Sequence, residues 1–195
     1  MNTLVHSQLS VHNFGGEVKD YFEIHKFIDS SKLFFFNIKH RSILHHTFGV
    51  HLCTTIFGDT LKNSEGDLVL VRDVAIEHIK EDLNGRIPIL KEWFEDNPKL
   101  YDPIKEIESI KDEELKNFIL SPYLNSGIKS SFVLTYSDFG VSLVDKVLGI
   151  NKALILRSYL NEKHSIKSIL KNFKFSSRWQ YTPDVGKVAL VKNNH

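Results

Sequence analysis

Apolar residues recur at helical spacing along most of the chain. Between Lys19 and Ser31 the positions Tyr21, Phe22, Ile24, Phe27 and Ile28 follow a helical period, not strict alternation, and predict a helix. A shorter helix is expected from Thr3 to Asn13, stopped by Gly15-Gly16. The proline-free run from Leu33 to Phe57 closes on Gly58 and predicts the longest helix, over about Asn37 to Ile56, with Phe34-Phe35-Phe36 packing at its entry. The turn signal Asn63-Ser64-Glu65-Gly66 separates Thr60-Leu61 from the alternating Leu68-Val69-Leu70-Val71, which predicts a small β-hairpin. Asp73 to Leu83 reads as helix again. Pro88 suits the first position of a further helix carrying Leu90, Trp93 and Phe94, broken at Asn97-Pro98.

Beyond that break the pattern loosens. Ile104 to Leu120 is acidic and helix-prone and meets Ser121-Pro122, while Phe132 to Tyr136 has the β-propensity of an extended segment. Asp138 to Leu148, followed by Gly149, then Lys152 to Leu160 and Ser165 to Phe173, read as helices, and Lys187 to Val191 as an edge strand. No internal repeat or low-complexity tract is evident. The expected fold is mainly α: a helical, bundle-like N-terminal domain over residues 1–97 with a small β-hairpin, and a helical C-terminal region over 98–195, with one or two short strands, packing on it.

Composition adds bounds. With 195 residues, 42% of them hydrophobic, the chain can bury a core, and 25 Lys+Arg against 24 Asp+Glu leave no global field. Cys53, the only cysteine, has no disulfide partner and suits a buried small hydrophobe. The N-terminus lacks the pattern of a secretion signal, and no apolar stretch approaches the roughly 18 residues of a membrane span, so a soluble, cytoplasmic protein without membrane contact is expected.

The candidate chemistry lies in the histidines, eight of ten of which fall between His6 and His78. His25 and Asp29 are four apart, as are His78 and Asp82, so each pair shares one helix face. A carboxylate at that spacing can orient an imidazole, or both groups can bind one ion. Facing helices would then build a metal site from His6, His25, Asp29, His45 or His46, His78 and Asp82. The alternative is that these are ordinary polar residues that cap helices or face solvent. Imidazole and carboxylate without thiolate suit a divalent ion, with Zn, Mn, Fe, Ni and Mg all open.

The run His40-Arg41-Ser42-Ile43-Leu44-His45-His46-Thr47-Phe48-Gly49, continuing to Phe57-Gly58, carries a resemblance. With it go Asn63-Ser64 and Gly66, Val71-Arg72, His78 with Glu81-Asp82-Leu83, Ile87-Pro88 to Trp93, and His6, Gly15-Gly16, His25 and Asp29. Together they resemble an uncharacterised domain family of small bacterial and phage proteins over about residues 4–95, which implies a domain boundary and no activity. More distantly, the chain is similar to the HD-domain metal phosphohydrolases, helical enzymes that cleave phosphate esters with His and Asp ligands on successive helices. His45-His46 would match the first ligand position, and His78 with Asp82 a later one. The chain departs from that family in having no His-Asp dipeptide.

The resemblance implies a metal-dependent hydrolase acting on a phosphorylated or nucleotide-like small molecule. Asp82 and Glu81 would be its catalytic carboxylates, and Arg41, Arg72 and Lys32 its contacts to the substrate phosphate. The rival reading is a non-catalytic binding protein for a nucleic acid or a protein partner. It rests on the basic stretch 146–192, which holds ten Lys+Arg against two acidic residues, with Tyr159, Phe173, Phe175, Trp179 and Tyr181 interleaved. That stretch could equally dock on the more acidic N-terminal part of the same chain, because Ile166, Ile169, Leu170 and Phe173 form a core-facing stripe. The sequence does not indicate an oligomeric state.

Overall fold

The computed structural model describes residues 2–35, 38–94 and 101–173. It is mainly helical with one antiparallel hairpin. α1 (Thr3–Phe14) is capped by Asn2, whose side chain accepts from the Val5 amide, and ends at Gly15, where φ is 73°. That left-handed angle favours a residue without a Cβ. α2 (Val18–Ile28) returns antiparallel and buries Tyr21, Ile24, His25, Phe27 and Ile28.

The single long helix expected over 37–56 is replaced by a broken one. A 3-10 turn (Ile38–His40) leads into α3 (Arg41–Leu44), the chain extends at His46, and α4 (Thr47–Phe57) begins afresh. His46 makes the break: its Nδ1 accepts from the Gly49 amide at 3.1 Å, so its Nε2–H donates to the Ile43 carbonyl at 2.9 Å. An imidazole thus performs the N-cap service usually given by Ser, Thr, Asp or Asn.

β1 (Thr60–Lys62) pairs with β2 (Leu68–Leu70), Leu61 opposite Val69, and the chain enters α5 (Val71–Asp82). α6 (Leu90–Trp93) starts after Ile89, so Pro88 stays outside it and instead accepts from the Thr47 amide through its carbonyl. α7 (Ile104–Glu108) is followed by the longest described helix, α8 (Glu113–Ser126). α8 runs through Pro122 and so extends past the helix-prone segment expected to reach Leu120. Proline removes the amide that would bond the Phe118 carbonyl, and the Ser121 hydroxyl takes its place at 2.7 Å. Phe132 to Tyr136 is not extended. Lys129–Leu134 is a 3-10 turn, buried from Ser130 to Leu134, so its β-branched and aromatic residues pack into the core instead of pairing in a sheet. α9 (Asp138–Leu148), α10 (Ile150–Tyr159) and α11 (Ile166–Asn172) complete the fold.

The core is continuous across the two halves, with Phe34 meeting Phe139 edge-on at 5.5 Å between ring centres. Ile166, Ile169, Leu170 and Phe173 are buried in it, as is Cys53. The strand expected at 187–191 and the basic residues beyond 173 lie outside the described residues. No helix among the described residues is long and apolar enough to cross a membrane.

The structure also contains a repeat that the sequence reading did not detect. Phe48-Gly49-Val50, Leu52 and Gly58 of the α4 region recur at the same spacing as Phe139-Gly140-Val141, Leu143 and Gly149 around α9. Both helices have 11 residues, a side-chain cap on the amide of the third residue, and a glycine C-cap with φ of 86° or 88°. A Cβ on Gly49 would collide with the Leu44 carbonyl, and one on Gly140 with that of Thr135, so the preceding turn packs identically on each helix. The hairpin separates α4 from α5 but has no counterpart between α9 and α10, so the two halves share no fixed period.

Candidate metal centre

Asp29 is the C-cap of α2, one turn beyond His25. His45 occupies the break between α3 and α4, while His78 and Asp82 sit one turn apart on the buried face of α5. Asp29, His45, His78 and Asp82 each offer one ligand atom, and these atoms lie within 4.8 Å of one another. Asp29 Oδ1 is 3.6 Å from His78 Nε2 and 3.8 Å from His45 Nε2, and His45 Nε2 is 3.1 Å from Asp82 Oδ2. Tetrahedral bonds of about 2.0 Å place neighbouring ligands about 3.3 Å apart, so the buried group can hold a metal ion after small inward shifts.

Helical spacing put His78 and Asp82 on one buried face of α5, but it did not give their partners. Each carboxylate crosses to rings on other elements: Asp29 faces His40, His45 and His78, and Asp82 faces His45, His6 and Arg41. His25 stands behind His78, its Nδ1 2.9 Å from His78 Nδ1 and its Nε2 2.8 Å from Ser10 Oγ. This contact orients the His78 ring with Nε2 toward Asp29. On the other side, His6 Nδ1 lies 2.5 Å from Glu81 Oε2, and the His6 ring stacks on His78 at 3.9 Å between centres. Partners of this kind, a carboxylate or a second ring behind an imidazole, commonly fix metal-ligating histidines.

Several buried nitrogens here have no hydrogen-bond partner: His6 Nε2, His45 Nδ1 and His78 Nε2. Two of them, on His6 and His78, face a carboxylate oxygen at 3.6 Å, beyond hydrogen-bond reach. Leaving such atoms unmatched in the interior is costly, and at His78, whose burial favours the neutral ring, a cation beside Asp29 would satisfy both sides.

The electrostatics agree with that demand. Burial dominates for the imidazoles, pushing His25 down to about 2 and His45 to about 3, and lowering His78 despite its carboxylate neighbour. These rings therefore stay neutral and keep lone pairs for a ligand. Burial alone would raise Asp29 and Asp82, yet neighbouring imidazoles, and for Asp82 also Arg41, hold both well below the usual carboxylate range. His6 moves the other way: burial lowers it, but Asp82 and Glu81 together outweigh burial and raise it.

The remaining candidates divide. Arg41 is buried against Asp82, its Nη2 3.1 Å from Oδ2 and its Nη1 donating to the backbone carbonyl at 3.0 Å. Lys32 Nζ is 2.6 Å from Asp29 Oδ1. His46 does not join the group, because its Nδ1 caps α4 at the Gly49 amide and its Nε2 donates to the Ile43 carbonyl of α3. Arg72 does not either: it is exposed at the start of α5 and pairs with Asp73. His40 was overlooked as a site residue although its Nε2 is 3.8 Å from Asp29 Oδ1. Its only sequence signal was its position just ahead of Arg41 and His45, which a 3-10 turn made hard to read.

No curated protein and no solved structure matches the chain. A family model does match, described as a domain of unknown function, DUF6915, and it spans residues 1–100, which hold every residue of the centre. The chain belongs to the DUF6915 family.

Proposed function

We infer that the chain is a metal-dependent hydrolase whose substrate is a phosphorylated small molecule, with Asp29, His45, His78 and Asp82 as ligands of one divalent ion. The observation that carries this is the convergence of four buried ligand atoms within 4.8 Å, together with unmatched nitrogens on His6 and His78 that face carboxylate oxygens. Two His and two Asp on successive helices also fit the general pattern of the HD-domain phosphohydrolases, without their His-Asp doublet.

A bound divalent ion would supply an acidic water and charge for the phosphate. The chain's own residues do the rest. Lys32 and Arg41 already offset Asp29 and Asp82, so an added divalent ion leaves the centre with surplus positive charge, which suits a dianionic substrate. The His6–Glu81 pair stands beside Asp82, whose carboxylate with that of Glu81 favours the protonated ring, so His6 is placed to exchange a proton with a leaving group or water. In this reading Asp82 is a ligand, and Glu81 is a positioning residue acting through His6.

The test is elemental analysis of protein purified without chelator or nickel resin, with hydrolysis of p-nitrophenyl phosphate measured on the same samples. Wild type should carry about one divalent ion per chain and release p-nitrophenol, and His78→Ala should lose both. His46→Asn, which preserves a helix cap, should keep its metal. A wild type devoid of stoichiometric metal would sink the proposal.

A further inference from the structure

Asp29 belongs to two places at once. Besides facing His45 and His78, it lines a cavity of about 730 Å3 between the two halves of the molecule, within the size range of small-molecule sites. The first half contributes Phe27, Phe34 and Phe57, and α9 of the second contributes Phe139 and Leu143. These walls are apolar. Leu33 stands at the cavity 88% exposed, an apolar surface that a bound molecule would cover. Lys32 lies at the Asp29 end, Lys26 is paired with Glu23 on the lining, and Lys146 adds positive charge from α9. The cavity therefore offers an anion site at the metal and an apolar chamber leading away from it.

Resting on the hydrolase reading above, we propose that this cavity binds the substrate, a phosphate monoester with an apolar alkyl or aryl body. The phosphate sits beside the Lys32–Asp29 pair at the end of the cavity next to the centre, and the body lies among Phe27, Phe57 and Phe139. Hydrolysis there consumes one water. Its oxygen bonds to phosphorus as the bond from phosphorus to the ester oxygen breaks, the alcohol leaves with one of the water's protons, and inorganic phosphate keeps the other. The second half of the chain, which lies almost entirely outside the family match, thus supplies one wall of the site through Phe139, Leu143 and Lys146.

The probe is n-octylphosphonate, whose carbon–phosphorus bond resists hydrolysis, titrated calorimetrically against the full chain beside inorganic phosphate. Burial of the octyl chain should make it bind at least about tenfold more tightly than phosphate. Ser142→Trp, at an exposed position on α9 that lines the cavity, should fill the chamber and weaken binding by about tenfold with metal content unchanged. Lys146→Glu should weaken it severalfold by charge alone, at an exposed site where folding is not at risk. Equal affinity for phosphate and octylphosphonate, or wild-type binding in both variants, would overturn the proposal. Wild type that holds no metal but still binds octylphosphonate with these losses would remove the hydrolase reading and leave the ligand class standing.

Discussion

The corner before α4 and the corner before α9 have the same backbone plan and opposite interiors. Counting back from the equivalent glycines Gly49 and Gly140, Arg41 corresponds to Phe132, His45 to Tyr136 and the cap His46 to Ser137. In the following helix, α5 buries His78 and Asp82, whereas α10 buries Ala153 and Leu156. The second half shows that this corner folds around the ring of Tyr136, with one His164–Glu106 pair beside it in place of a network. The ionic network of the first half is therefore not a requirement of the architecture, and buried ion networks seldom gain stability over apolar packing. The difference sets the first half apart as the part of the chain whose buried side chains could hold a metal ion.

The sharpest way to break the comparison is Asp82→Asn. Arg41 would lose a buried carboxylate, at a cost of about 3–5 kcal/mol in metal-free protein. Chemical denaturation should show that loss, and metal analysis should show an empty centre. A change below about 1 kcal/mol would mean that the pair contributes little. Next come the paired glycines. Gly49→Ala and Gly140→Ala each drive a methyl into a backbone carbonyl, so each should cost about 3 kcal/mol and lower the melting temperature by about 6–12 °C. A mild effect at one site alone would show that the two corners are not packed alike.

Acid should separate the halves more gradually. His25, His45 and His46 have folded values of about 2, 3 and 4, below the unfolded value of 6.5, so the unfolded chain binds more protons as pH falls. Their contribution is complete above pH 6.5 and is lost below it, at up to about 1.4 kcal/mol per pH unit for each ring. His6 has the opposite sign, favouring the fold below pH 6.5 and losing that contribution as pH rises through its raised value. With His78 also lowered, four rings outweigh the one raised ring, so metal-free protein should lose stability steadily from pH 6.5 to 4. Hydrogen exchange should find α1 to α5 opening before α8 to α10. A flat melting temperature over that range would contradict the burial assigned to these rings. The smallest effect is Ser137→Ala, which removes one helix cap for about 1 kcal/mol and should leave metal content unchanged.

Much of the fold was legible because its boundaries are local. Gly15, Gly58 and Gly149 each end a helix where a glycine signals a stop, and the turn Asn63 to Gly66 announced the hairpin. The break at His45-His46 was illegible because a capping imidazole looks like any polar helical residue until its partner, the Gly49 amide, is in view. Phe132 to Tyr136 misled because β-propensity reflects packing on a buried surface, which a 3-10 turn in the core also provides. In the candidate site, the four-residue spacings singled out Asp29, His78 and Asp82, which the structure brings together. They could not show that Asp29 serves His78 rather than His25, because that exchange depends on how α2 and α5 cross.

The hairpin absent from the second half acts on the corner between α1 and α2. Asn63 Nδ2 donates to the Phe14 carbonyl at 3.1 Å, and Asp20 accepts from both the backbone and the hydroxyl of Ser64. The corner that carries His6 and Ser10 on one side and His25 and Asp29 on the other is thereby clamped from outside. Ligands held in place by the fold lose little further freedom when they close on an ion, so their gain on binding is not spent on ordering the chain. The hairpin offers none of the four candidate ligands, yet through this clamp it would set how tightly a distant ion is gripped.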